Sequence, residues 1–144
     1  MITPKQFVIG KDLRYSARIG GDQLVFIGGP CAIESRDHAL MMAKKIGDIC
    51  QKVSIPWVYK SCYDKDCRSS PKSFFGIGID EGLSILSEVR SEFQVPVVSD
   101  FSDSQWAKAT GEVCDLVQIP AYLCRQSSIL KAAADTKKPV HLKK

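Results

Sequence analysis

Five short apolar runs, separated by stretches whose apolar residues recur at helical spacing, leave this chain few folds to choose from. The runs are Leu24-Val25-Phe26-Ile27, Trp57-Val58-Tyr59, Val95-Pro96-Val97-Val98, Leu116-Val117-Gln118-Ile119 and Pro139-Val140-His141-Leu142. They are continuous rather than alternating, as in strands buried on both faces. Between the first two, Ala39, Met42, Ala43, Ile46, Ile49, Cys50 and Val53 form one helical stripe, with Ser35 placed to cap its start. Leu83, Leu86, Val89 and Phe93 mark a second helix from about residue 80, and residues 102–110 and 126–134 supply two more. The order β-α-β-α-β-α-β-α-β predicts a parallel sheet covered by helices. Phe7-Val8-Ile9 and Leu13 to Ala17, on either side of Gly10-Lys11-Asp12, predict a small hairpin outside that repeat.

Composition fits one folded domain: 144 residues, 44% apolar and 25% charged, too apolar for a disordered chain. The net charge of +4 is mild and its Lys and Arg are interleaved with acids, so no nucleic-acid footprint is expected. No apolar stretch approaches the ~18 residues of a membrane span. The N-terminal residues lack the basic-then-apolar layout of a secretory leader. The six Cys form no CxxC pair, and reduced, mostly packed thiols in the cytoplasm are the expectation.

An open doubly wound sheet and an incomplete (β/α)8 barrel both fit the repeat. The first strand ends in GGPCAIES, which lacks the dinucleotide-binding glycine pattern, and no Walker motif occurs. A barrel is favoured. A full barrel takes roughly 250 residues, so the chain predicts a truncated aldolase-type TIM barrel of about (βα)4β. Residues 1–21 form its N-terminal extension and residues 22–144 the first half of the barrel.

Cys31, Lys60, Asp100, Gln118 and Lys143 each fall at or just past the C-terminal end of a successive strand, where barrels build their active sites. From Lys60 to Ser70, two Lys, Arg68 and the Ser69-Ser70 pair leave one strand end. Point-charge ammonium groups and a planar guanidinium suit a ligand carrying phosphate and carboxylate. The plainer alternative is a solvated loop whose cations pair with Asp64 and Asp66. Cys31 is either a metal ligand or simply packed. Asp100 either faces the site or caps the next helix. Lys143 reaches an anion or belongs to a frayed end, and Arg125 binds an anion or caps a helix. His38 reads as structural, and His141 fits either face of its strand.

The segments GGPCAIESRD, YKSCYDKDCRSS, VVSD, DLVQIPAYLCRQ and VHLKK, in that order, closely resemble the 3-deoxy-D-manno-octulosonate 8-phosphate (KDO 8-phosphate) synthase family, of the DAHP synthetase I/KDO synthase group. The resemblance covers about residues 22–144. It implies a (β/α)8 barrel, a homotetramer, and condensation of phosphoenolpyruvate with D-arabinose 5-phosphate, releasing inorganic phosphate. It further implies that Lys60 and Lys65 surround phosphoenolpyruvate and the reacting centre, and that Arg68 and Ser69 hold the sugar phosphate. Gln118, Pro120 and Ala121 would floor the phosphoenolpyruvate site, Lys143 would contact it, and Asp100 would belong to the substrate site. Cys31 matches the cysteine that binds a divalent metal in one subclass.

The chain departs from that pattern at several points. Asp66-Cys67 stands where the family has Ala-Asn, Cys62 where it has Ser, Phe75 where it has Arg, and Phe101-Ser102 where it has Val-His. The family's other metal ligands lie in the second half of the barrel, so the chain alone is expected to lack synthase activity and to self-associate or take a partner. Two other readings are a related synthase making 3-deoxy-D-arabino-heptulosonate 7-phosphate, and a degenerate non-catalytic half-barrel.

Overall fold

The apolar runs do become parallel strands, and neighbours in sequence become neighbours in space. In the computed structural model, which describes residues 5–144, the elements are β1 (Phe7–Ile9), β2 (Ala17–Ile19), β3 (Phe26–Gly28), α1 (Arg36–Lys52), β4 (Trp57–Lys60), α2 (Ile79–Phe93), β5 (Val97–Asp100), α3 (Ala107–Val113), β6 (Leu116–Ile119), α4 (Ser127–Asp135) and β7 (Val140–Leu142). The first four residues of the expected N-terminal extension lie outside the described residues. β3-β4-β5-β6-β7 form one sheet in that order, parallel at every step. A helical crossover between successive, adjacent parallel strands is the repeat of the (β/α)8 barrel, here over its first half.

Alternation along the strands makes two cores. Tyr59, Val97, Val117 and Ile119 point outward onto Leu86 and Val89 of α2 and Ala133 of α4. Val58, Val98 and Leu116 point inward and meet Ile9 and Ala17. Ser35 caps α1 as its sequence position predicts, its hydroxyl accepting from the His38 N–H at 3.2 Å. Asp80 and Glu81 open α2, where carboxylates complement the helix dipole.

β1 and β2 pair antiparallel, and their hairpin closes the end of the inner face away from the strand C-termini. Gly10 makes this fit: its φ is +67°, and an added Cβ would lie 2.6 Å from Pro96 Cγ. Arg90 on α2 fastens the arrangement. Its guanidinium grips both oxygens of Asp115 at 2.9–3.2 Å and one of Asp12 at 2.8 Å. Asp115 also accepts the Val97 N–H at 3.1 Å, so one buried carboxylate ties α2 to the starts of β5 and β6.

Three expectations need correction. The first apolar run is not a buried strand: Leu24 is 82% and Phe26 45% exposed. β3 is an edge strand, paired only with β4 among the described residues. Ile49 and Val53 of the α1 stripe are exposed at the same corner. The second hairpin strand is Ala17–Ile19 and not Leu13 to Ala17, because the chain first packs Leu13 and then bonds the Tyr15 N–H to the Gln94 carbonyl. The third helix begins as a 3-10 turn at Ser104–Trp106, capped by Asp103, before turning α-helical at Ala107.

Candidate active site

Strand register determines which side chains share the inner face. Lys60 lies two residues beyond Val58, Asp100 two beyond Val98, and Gln118 two beyond Leu116, so all three continue the inward-facing rows. Asp100 pairs with Gln118, and Gln118 with His141. Lys60 pairs with Val98, so carrying that register two residues further brings Cys62 level with Asp100. A thiol, a carboxylate, an amide and an imidazole therefore stand in one row across β4, β5, β6 and β7.

The contacts are close. Lys60 Nζ donates to Cys62 Sγ, and the Cys62 thiol donates to Asp100 Oδ1. Lys60 Nζ lies 3.6 Å from the same carboxylate oxygen, with the two side chains 16% and 13% exposed. Burial raises the Cys62 thiol above its usual range, and the Asp100 charge adds to this against the opposing pull of Lys60. Cys62 is therefore a neutral thiol at physiological pH. Asp100 does not cap the next helix, a role Asp103 takes.

Lys65 is the second cation. Lys65 departs from the solvated loop of the plainer reading, although Asp66 to Ser69 and most of residues 71–75 are exposed. Asp64 bridges to Gly76, the Lys65 N–H bonds to the Phe75 carbonyl at 2.7 Å, and Lys65 is only 8% exposed. Gly76 permits this fold-back, with φ +121° and a Cβ position only 2.1 Å from the Tyr63 carbonyl oxygen. Tyr63 is fixed in turn by Thr110, their hydroxyls 2.8 Å apart, and burial pushes its phenol well above the usual range. Burial pulls the Lys65 ammonium down, but the Asp100 carboxylate and hydrogen bonding to the Cys62 sulfur outweigh it, and the net shift is upward. Lys65, Asp100, Pro120 and Cys67 line one narrow crevice.

The remaining predicted residues lie further out. Arg68 and Ser69 are exposed, and Arg68 Nε donates to the Phe74 carbonyl at 3.1 Å rather than pairing with Asp64 or Asp66. Pro120 is buried and leads the 3-10 turn Ala121–Leu123, while Ala121 and Arg125 are exposed. Lys143 follows β7, its N–H held by the Ile119 carbonyl at 3.1 Å and its side chain in solvent. Cys31 is exposed beyond β3. Among the described residues no group of three or more His, Cys, Asp or Glu gathers to hold a metal. Cys31 alone does not make the three-ligand set of a catalytic metal, so the residues present do not fit a metal by themselves.

Two members of the inner row escape a reading of residue types. Cys62 reads as packing until its partners are seen. His141 reads as ambiguous until its register with Gln118 turns it inward, where its buried Nδ1 has no hydrogen-bond partner.

Sequential parallel strands and outer helices define half of a (β/α) barrel, and its charged groups gather at the strand C-termini, the end where such barrels carry their sites. The model of the DAHP synthetase I family matches residues 2–144, and the chain belongs to that family. It is 49% identical over 126 residues to the 2-dehydro-3-deoxyphosphooctonate aldolase of Koribacter versatilis (strain Ellin345), covering 88% of this chain and 45% of that protein. Proteins of the same name from Rickettsia prowazekii (strain Madrid E) and Rickettsia typhi (strain ATCC VR-144 / Wilmington) are 50% identical over 128 residues, 88% of this chain and 46% and 47% of theirs. The chain thus spans about half the length of the curated relatives it matches.

Proposed function

We propose that this chain supplies half of the active site of a KDO 8-phosphate synthase, condensing phosphoenolpyruvate with D-arabinose 5-phosphate. The observation that carries the reading is the trio Lys60, Lys65 and Asp100. Two largely buried ammonium groups stand at the strand tips: Lys60 lies 3.6 Å from an Asp100 oxygen without closing on it, and Lys65 sits in a crevice also lined by Asp64, Asp66 and Asp100. An ammonium held largely out of water calls for acceptors, and the phosphate and carboxylate oxygens of phosphoenolpyruvate supply those the local carboxylates leave unfilled. In the reaction the methylene carbon of phosphoenolpyruvate bonds to the aldehyde carbon of the pentose, water adds at the enol carbon, and inorganic phosphate leaves. Lys60 and Lys65 offset the negative charge of the reactants and of the departing phosphate. Gln118, Pro120 and Ala121 form the floor, Lys143 reaches in from β7, and Arg68 and Ser69 hold the sugar phosphate from the loop. Cys31 would be this chain's single donor to a divalent metal completed by residues outside it. A cytoplasmic homotetramer is part of the same reading.

The 144-residue polypeptide should bind phosphoenolpyruvate in a calorimetric titration and release no phosphate from the two substrates. Fused to the C-terminal half of the Koribacter relative, it should release phosphate with arabinose 5-phosphate and not with erythrose 4-phosphate. Turnover of the four-carbon sugar instead would transfer the reading to the related heptulosonate synthase. Asp66 and Cys67 beside Lys65 favour a second reading, a non-catalytic half-barrel, because Asp66 adds negative charge where an anion would sit. Absence of phosphoenolpyruvate binding would select it.

A further inference from the structure

The Lys60–Asp100 separation of 3.6 Å is longer than the roughly 2.7–2.9 Å of a closed charge-assisted hydrogen bond. Both side chains are nearly out of water, where attraction between opposite charges is strongest, so something keeps the pair open. Cys62 Sγ touches both groups, accepting from the ammonium and donating to the carboxylate. The thiol is completely buried and sits on the extension of β4, which is pinned to the segment after β3 by an Ala32–Cys62 bridge and by Ser61 Oγ donating to the Pro30 carbonyl at 2.9 Å. Its position is therefore imposed by the backbone and not by the two charges.

We propose that Cys62 is a positioning residue, a neutral spacer that holds Lys60 and Asp100 apart so that the ammonium keeps donors free for an anionic substrate. An ammonium has three N–H donors. With one on the sulfur and the carboxylate held off, the others remain for phosphate or carboxylate oxygens. Without the spacer the pair would close and Asp100 would compete with the incoming anion. A serine at this position keeps the donor and acceptor; an alanine keeps neither. The substrate part of this inference rests on the function proposed above, while the hydrogen-bonding part does not.

Two measurements test it on the 144-residue chain. Raman difference spectra of the wild type against Cys62→Ser isolate the S–H stretching band of Cys62. That band should lie below those of the exposed thiols and should move up in Asp100→Asn, whose neutral amide is a weaker acceptor. A band coincident with the exposed thiols in the wild type would overturn the proposal whether or not any ligand binds. Calorimetry with phosphoenolpyruvate should then show Cys62→Ser within about threefold of the wild type and Cys62→Ala weaker by about tenfold. Equal affinities for alanine and wild type would also overturn it. A shifted band in a chain that fails to bind phosphoenolpyruvate would uphold the spacer contact, remove its substrate role and reject the proposed function.

Discussion

Replacing Asp115 with alanine should destabilise the chain far more than replacing Asp12, although both carboxylates bind the same arginine. Asp115 has a side chain 7% exposed, accepts Arg90 through both oxygens and also takes the Val97 N–H. Asp12 is 67% exposed and takes one nitrogen of the same guanidinium. Truncating Asp115 leaves an arginine with only a solvent-facing partner and strands the Val97 N–H. Breaking a buried pair costs about 3–5 kcal/mol. Arg90, at 27% exposure, recovers some hydration, which places the loss near the lower figure, about 3 kcal/mol. The exposed Asp12 contact is worth about 0–1 kcal/mol. With a urea slope of about 2 kcal/mol/M, the midpoint should fall by about 1.5 M for Asp115→Ala and by less than about 0.5 M for Asp12→Ala. Equal shifts for the two variants would refute the assignment of this carboxylate as the clamp between α2, β5 and β6. Because those strands carry Asp100 and Gln118, the same variant should also weaken anion binding.

The Arg90 hydrogen bond holds the Asp12 carboxyl below its ordinary value of 3.8. A depressed carboxylate stabilises the fold above its unfolded pKa and loses that contribution as pH falls through the folded one, so the small penalty of Asp12→Ala should vanish in urea titrations well below pH 3.8. Cys31 and Cys67 should react rapidly with Ellman's reagent in the native chain, and Cys50, Cys62 and Cys114 only on unfolding. Gly76→Ala should cost about 1–3 kcal/mol from backbone strain alone, seen as a lowered urea midpoint, and should shift Lys65, since the new Cβ would strike the Tyr63 carbonyl. Lys65→Met should weaken phosphoenolpyruvate binding by about 10- to 100-fold in calorimetry, with little change in thermal midpoint.

The strands were legible because burial on both faces makes them continuously apolar, and a charged or amide residue at or near the end of the three central runs marked the rim. Lys60, Asp100 and Gln118 could be found that way. Leu24 misled because an edge strand carries the same apolar letters without the same burial. Lys65 looked solvated because its acidic neighbours suggested local pairing, whereas its burial depends on Gly76 folding the loop back 11 residues later. Cys62 was hidden for a chemical reason: a thiol is written like a small hydrophobe, and only the register of β4 against β5 reveals that it stands beside a carboxylate.

The hairpin beneath the sheet has a bearing on traffic. With Ile9 and Ala17 stoppering the lower end, a barrel closed around this inner face has one doorway, at the strand tips. Any anion that reaches Lys60, Asp100 or Gln118 inside such a barrel passes that end on the way in and again on the way out.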